Sequence, residues 1–252
     1  MALTSFLMSS PSPTLFPATR WSLLQRVREG SGEEKRAALE ILCRAYWYPL
    51  YIVARRKQLN EHDAQDAVQG FFERVLRMEI FSSADEATGK LRQLLLGCFN
   101  NHCGQQQIKA ARQKRGGGAD HVEFTEAISA KVAEQRYQQA DTAASIEVLY
   151  NRAWAGTVME RGLHALRDDY LKRGWQERYD LLVGTLLQAN EDTSLVQIAA
   201  SNGTNPGALR VTLHRMRAHY RDKIERELAE TLGTDDPLLI REEMVELFKA
   251  FS

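Results

Sequence analysis

The chain has 252 residues, 44% of them hydrophobic and 26% charged, which is room for two helical modules of about 80–100 residues each. Its 33 basic residues balance its 33 acidic ones, which excludes a protein that coats nucleic acid through overall positive charge. Nucleic-acid contacts must then come from local basic patches.

Residues 1–18 hold Pro11, Pro13 and Pro17 but no basic residue. This pattern predicts a disordered leader and lacks the basic start of a secretory signal. A helix follows over residues 33–57, where Leu39, Leu42, Cys43, Tyr46, Trp47, Leu50, Val53 and Ala54 recur at three- and four-residue steps. Pro49 predicts a kink or break near Tyr48. A second helix is expected over residues 60–77, with Asn60 as its cap and Ala64, Ala67, Val68, Phe71, Val75 and Leu76 inside. A third is expected over residues 88–114. From residue 90 to 115 there is no acidic residue, and Lys90, Arg92, Lys109, Arg112, Lys114 and Arg115 alternate with amides. Such a helix can hold phosphates and read bases of an opened strand.

Gly116, Gly117 and Gly118 stop the helical pattern. Residues 116–144 read as a linker with one weak helix around 123–139. The linker would let two modules sit close together in the free protein and spread on a partner. A second helical block spans residues 145–230, anchored by Tyr150, Trp154, Tyr170, Trp175 and Tyr179. A last amphipathic helix is expected within residues 231–252, on Ile240, Met244, Leu247, Phe248 and Phe251. The expected fold is all-α: a first module over residues 19–115, the linker, a second module over 145–230, and an appended helix.

The most specific pattern lies in residues 193–223, TSLVQIAASNGTNPGALRVTLHRMRAHYRDK. A short helix carries Leu195, Ile198 and Ala199 inward. Gly203 marks the turn, Asn205 caps the next helix, and Pro206 fits its first turn. The long helix buries Leu209, Leu213, Met216 and Tyr220 and shows a second stripe of Arg210, His214, Arg217 and Arg221. This is the design of a DNA-reading helix-turn-helix, one face on the protein and guanidinium forks toward bases and phosphates.

Cys43, Cys98 and Cys103 have no framework spacing and read as reduced thiols of a cytoplasmic protein. No apolar run is long enough for a transmembrane helix, so no membrane partner is expected. Cys98 and His102 share a helix face, but no second pair of metal spacing exists, so no metal or other cofactor is expected. Asp168 and Asp169 are adjacent and diverge on a helix, and neither a Walker loop nor a Gly-x-Ser-x-Gly turn occurs. No catalytic site is expected.

The segment from Asp63 to Leu76, DAQDAVQGFFERVL, resembles the second conserved region of ECF-type RNA polymerase sigma factors. Residues 90–115 are similar to that family's promoter-melting and minus-10 regions, and the helix-turn-helix to its minus-35 reading region. The likeness is nearest to a planctomycete-like branch. It rests on Thr-Arg-Trp-Ser at 19–22, Tyr-Trp-Tyr-Pro-Leu-Tyr at 46–51, Gln-Gly-Phe-Phe at 69–72 and Gln-Lys-Arg-Gly-Gly-Gly at 113–118. Gln105 stands where the family often has aspartate, Gln107 where it has an aromatic, and Gln197 where it has glutamate.

The resemblance implies two partners, core RNA polymerase and promoter DNA, as duplex and as melted non-template strand. An anti-sigma factor or other regulator is a further partner class. By the same likeness, Asp63, Asp66, Gln69, Phe72 and Arg74 would face polymerase, and Asn101, Gln105, Lys109 and Arg112 the minus-10 strand. Asn205, Arg210, Val211, His214 and Arg215 would approach the minus-35 duplex, with Thr212 and Arg217 on phosphate. The rival reading is a helix-turn-helix regulator that never meets polymerase. It gives the Asp63–Leu76 helix no role and predicts a symmetric dimer reading two half-sites.

Overall fold

A computed structural model describes residues 22–77, 90–112, 130–140, 143–188 and 191–251. All regular structure among them is helical, so the fold is all-α. The chain opens with α1 (Ser22–Glu29), a helix that the sequence pattern did not announce. Then come α2 (Gly32–Arg56), α3 (Glu61–Leu76), α4 (Leu91–Arg112) and α5 (Ala130–Gln138). The second half holds α6 (Ile146–Lys172), α7 (Gln176–Leu182) with a 3₁₀ turn at Val183–Thr185, α8 (Glu191–Ser201), α9 (Pro206–Leu232) and α10 (Pro237–Lys249).

Local chemistry starts these helices, at Asn60 and Asn205 where the sequence placed caps and at further caps it did not announce. Ser31 and Glu34 form a reciprocal capping box at the head of α2. The Asn60 side chain accepts from the Asp63 N–H at 2.9 Å, and Asp236 accepts from the Leu238 N–H at 2.9 Å. At Pro49 the expected break does not occur, and α2 runs through it. The proline removes one backbone donor, but Pro49 and most of its neighbours are buried, Tyr48 alone half-exposed, so packing holds the helix together.

The helices stack in the order α3, α2, α6, α9. Two of them are sandwiched. α2 lies between α3 and α6, so nearly every residue from Ala45 to Ala54 is buried, including Tyr46, Trp47 and Tyr51. Trp47 stacks on Tyr51 with ring centroids 5.3 Å apart. α6 lies between α2 and α9 and buries Tyr150, Trp154, Val158 and Leu166. Where α6 meets α9, Gly162 lets the backbones close in, because a Cβ there would sit 2.9 Å from Ile224 Cγ1.

Charged links also join the two halves. On α5, Glu134 accepts from Tyr51 Oη at 2.6 Å and from both ends of the Arg55 guanidinium at 2.8 Å, all on α2. Two residues on, Arg136 donates to Glu160 of α6 at 2.6 and 2.8 Å. Hydrogen bonding to Arg55 and to Arg136 holds the Glu134 and Glu160 carboxyls below their ordinary value. The weak helix expected around 123–139 is thus α5, a strut between α2 and α6. The expected leader and the triple glycine lie outside the described residues.

Candidate nucleic-acid interface

The helix-turn-helix is built by α8, a tight turn and the front half of α9. Gly203 takes φ +62°, the left-handed conformation that turn needs. Asn205 caps α9, its side chain accepting from the Gly207 N–H at 2.7 Å, with Pro206 next. Leu195 and Ala199 of α8 pack with Leu209, Leu213 and Met216 of α9 in the core. The opposite side of α9 presents Arg210, Val211, His214, Arg215 and Arg221 to solvent. Val211 is 54% exposed, so an apolar contact stands between the cations.

Two residues of this set behave differently. Arg217 turns inward and donates from Nε to the Leu186 carbonyl at 3.0 Å and from Nη2 to the Gln188 and Thr185 carbonyls at 3.3 and 3.5 Å. It braces the chain end that leads into α8, a structural contact that the sequence did not announce. Carbonyl oxygens at the end of a helical segment keep spare acceptor capacity and attract the guanidinium. Thr212 is half-buried and donates to the Ala208 carbonyl at 2.9 Å.

On α3 the outward residues are Asp63 and Asp66, both exposed, with Gln69 half-buried. Phe72 is fully buried and meets Phe71 edge-on at 5.6 Å. Its expected contact with a partner is corrected to a core contact, because α2 and α4 already enclose this face of α3. Arg74 likewise reaches across to α4, donating to His102 Nδ1 at 3.1 Å and Gln105 Oε1 at 3.2 Å. A guanidinium only donates, so Nδ1 accepts and the His102 ring proton sits on Nε2. His102 is buried against Phe71.

Along α4, Leu91, Leu95, Phe99 and Cys103 form the buried stripe, while Asn101 and Gln105 are exposed. Lys109 and Arg112 belong to the helix, and their side chains lie outside the described residues. Cys98 is half-buried and Cys103 buried. Burial raises both thiols, Cys103 to about 11, so neither is a ready thiolate. Among the described residues no group of three His, Cys, Asp or Glu stands close enough to hold a metal ion. No described helix is long and apolar enough to cross a membrane.

At the head of α4 the structure brings together residues that sequence reasoning did not connect. Arg92 is 4% exposed, and its guanidinium lies 4.4 Å above the Trp154 ring of α6. Tyr150 donates to the Arg92 carbonyl at 2.9 Å. Glu243 and Glu246 of α10 take the two ends of the guanidinium, Glu246 at 2.8 Å, and each lies 3.4 Å from Lys90 Nζ. One sign of this was legible. Glu243 falls on the same side of α10 as Leu239, Met244 and Leu247, and a carboxylate on an apolar stripe needs a buried cation. Compared with protein-family models, curated proteins and solved structures, the chain matches none.

Proposed function

We propose that this chain is an ECF-type sigma factor: it binds core RNA polymerase and directs initiation at promoters with minus-10 and minus-35 elements. One observation carries the DNA half of this reading. A capped helix follows a glycine turn, packs one stripe into the core, and offers Arg210, Val211, His214 and Arg215 outward from its first turns. The polymerase half is supported by the acidic outer face of α3, Asp63 and Asp66, together with the resemblance of that helix. On this reading Arg217, Arg74 and Phe72 position the contact helices, and Asn101 and Gln105 are the described members of the minus-10 surface.

The deciding experiment mixes purified full-length protein with core RNA polymerase at low salt and follows co-elution, then run-off transcription from promoter DNA. The expected result is a stable complex and promoter-dependent transcripts. Duplex binding by a symmetric dimer with no polymerase association would replace this reading with the helix-turn-helix regulator.

A further inference from the structure

The head of α4 is a basic site that is covered. Within α4 itself no acidic side chain accompanies Lys90 and Arg92, since none occurs between residues 90 and 115. Their partners come from 151 or more residues away in sequence, and both partners are carboxylates of α10 one helical turn apart. Beneath them the flat guanidinium of Arg92 rests on the Trp154 ring. A cavity of about 20 Å³, lined by Tyr46, Lys90, Arg92, Leu239 and Glu243, lies at the junction and has room for one water. Paired cations are what nucleic-acid phosphates use elsewhere, and here the Trp154 ring beneath holds the Arg92 guanidinium in place.

α10 packs on α9 and α6 through one face. Leu239, Met244 and Leu247 of α10 are buried, and Arg152 of α6 donates to the Ala250 carbonyl at 3.3 Å. On the other side Leu238 and Val245 are exposed. Burial works to raise the Glu246 carboxyl, but Lys249, Lys90 and Arg92 outweigh it and hold the group below its ordinary value. The charged form is therefore the one seated on the cations.

We propose that α10 is a built-in cover over a phosphodiester-binding site, with Glu243 and Glu246 occupying Lys90 and Arg92 until single-stranded nucleic acid displaces them. The inference rests on the nucleic-acid reading above and adds to it a competition within one chain. Any polyanion that takes the site must release α10, and any loss of α10 charge must strengthen polyanion binding.

The test uses the full chain and a fluorescent oligothymidylate of about 12 nucleotides, in about 0.1 M salt. The variant E243Q/E246Q is expected to bind it about tenfold more tightly than the unaltered protein, since two negative charges leave the site. K90Q on that background is expected to reverse the gain. In the unaltered protein, saturating oligonucleotide is expected to speed amide exchange across residues 237–249 about fivefold. Equal affinity of the two proteins, or α10 exchange unchanged at saturation, overturns the cover. If E243Q/E246Q does not fold, E246Q alone decides, because Glu243 stays on Arg92. A two- to threefold gain supports the proposal and equality overturns it. Absence of any single-strand binding also overturns it. If duplex binding sensitive to R210A persists, that failure belongs to α10 and leaves the proposed function standing.

Discussion

The outer face of α9 and the head of α4 both carry cations, and the fold treats them in opposite ways. On α9, Arg210 and Arg215 stand in solvent at the front of a capped helix. On α4, Arg92 is folded under α10, clamped by two carboxylates and stacked on Trp154. Cations on an exposed face cost the fold little in desolvation. A buried cation is tolerated only with partners, and those partners decide when it can do anything else. The same contrast runs inside α9, where Arg215 points out and Arg217, two residues on, is spent on three carbonyls.

Removing the floor of the covered site gives the largest effect. Trp154→Ala is expected to cost about 3–5 kcal/mol, because a fully enclosed ring leaves a cavity under Arg92 and between α2 and α6. Urea unfolding followed by circular dichroism measures it, and a loss below about 1 kcal/mol would mean the junction is loosely packed.

On the open surface, effects should move from stability to binding. Arg210→Ala is expected to weaken promoter duplex binding by about 1–3 kcal/mol with an unchanged unfolding midpoint. Titration at fixed salt measures the first and thermal unfolding the second. Arg217→Ala should do the reverse, costing about 1–3 kcal/mol of stability through its orphaned carbonyls. If Arg217→Ala weakened DNA binding at full stability, the distinction between the two arginines would fail. Asn205→Ala removes the cap of α9 and should cost about 1 kcal/mol.

The smallest expected effect is a pH slope. Glu134, Glu160 and Glu246 have folded-state values below the ordinary 4.5. They bind protons less readily folded than unfolded, so their stabilisation is complete above 4.5 and is lost as pH falls from there through their lower folded-state values. Unfolding free energies measured from about pH 7 to pH 3 should decline at the acid end, and Arg136→Met should flatten the decline by freeing Glu160.

The fold class was readable because helical periodicity is local. The stripe Leu209, Leu213, Met216 and Tyr220 is buried as spaced, and the Asn60 and Asn205 caps accept the bonds expected of such residues. The helix-turn-helix was readable for the same reason. What escaped was tertiary cover. Nothing near Arg92 in sequence announces Glu243, and nothing near Arg217 announces the carbonyls past α7. Phe72 could not be told from an exposed aromatic, since both faces of α3 carry large side chains and only the placement of α2 and α4 decides which is enclosed. On α10 the expected stripe was half right: Met244 and Leu247 are buried, whereas Phe248 and Phe251 face out.

Gly162 has a reach beyond its own contact. α9 is one unbroken helix of 27 residues, seated at Ile224 against that glycine and carrying Arg210 at its far end. Fourteen residues of helix separate the two, about 21 Å, so a tilt of about 5° at the seat swings the arginine by about 2 Å. A single methyl at residue 162 would therefore act as a shim under a lever. The aim of the front turns is set by a side chain that is absent, and alanine there is the gentlest way to move Arg210 out of register while leaving every outward-facing residue in place.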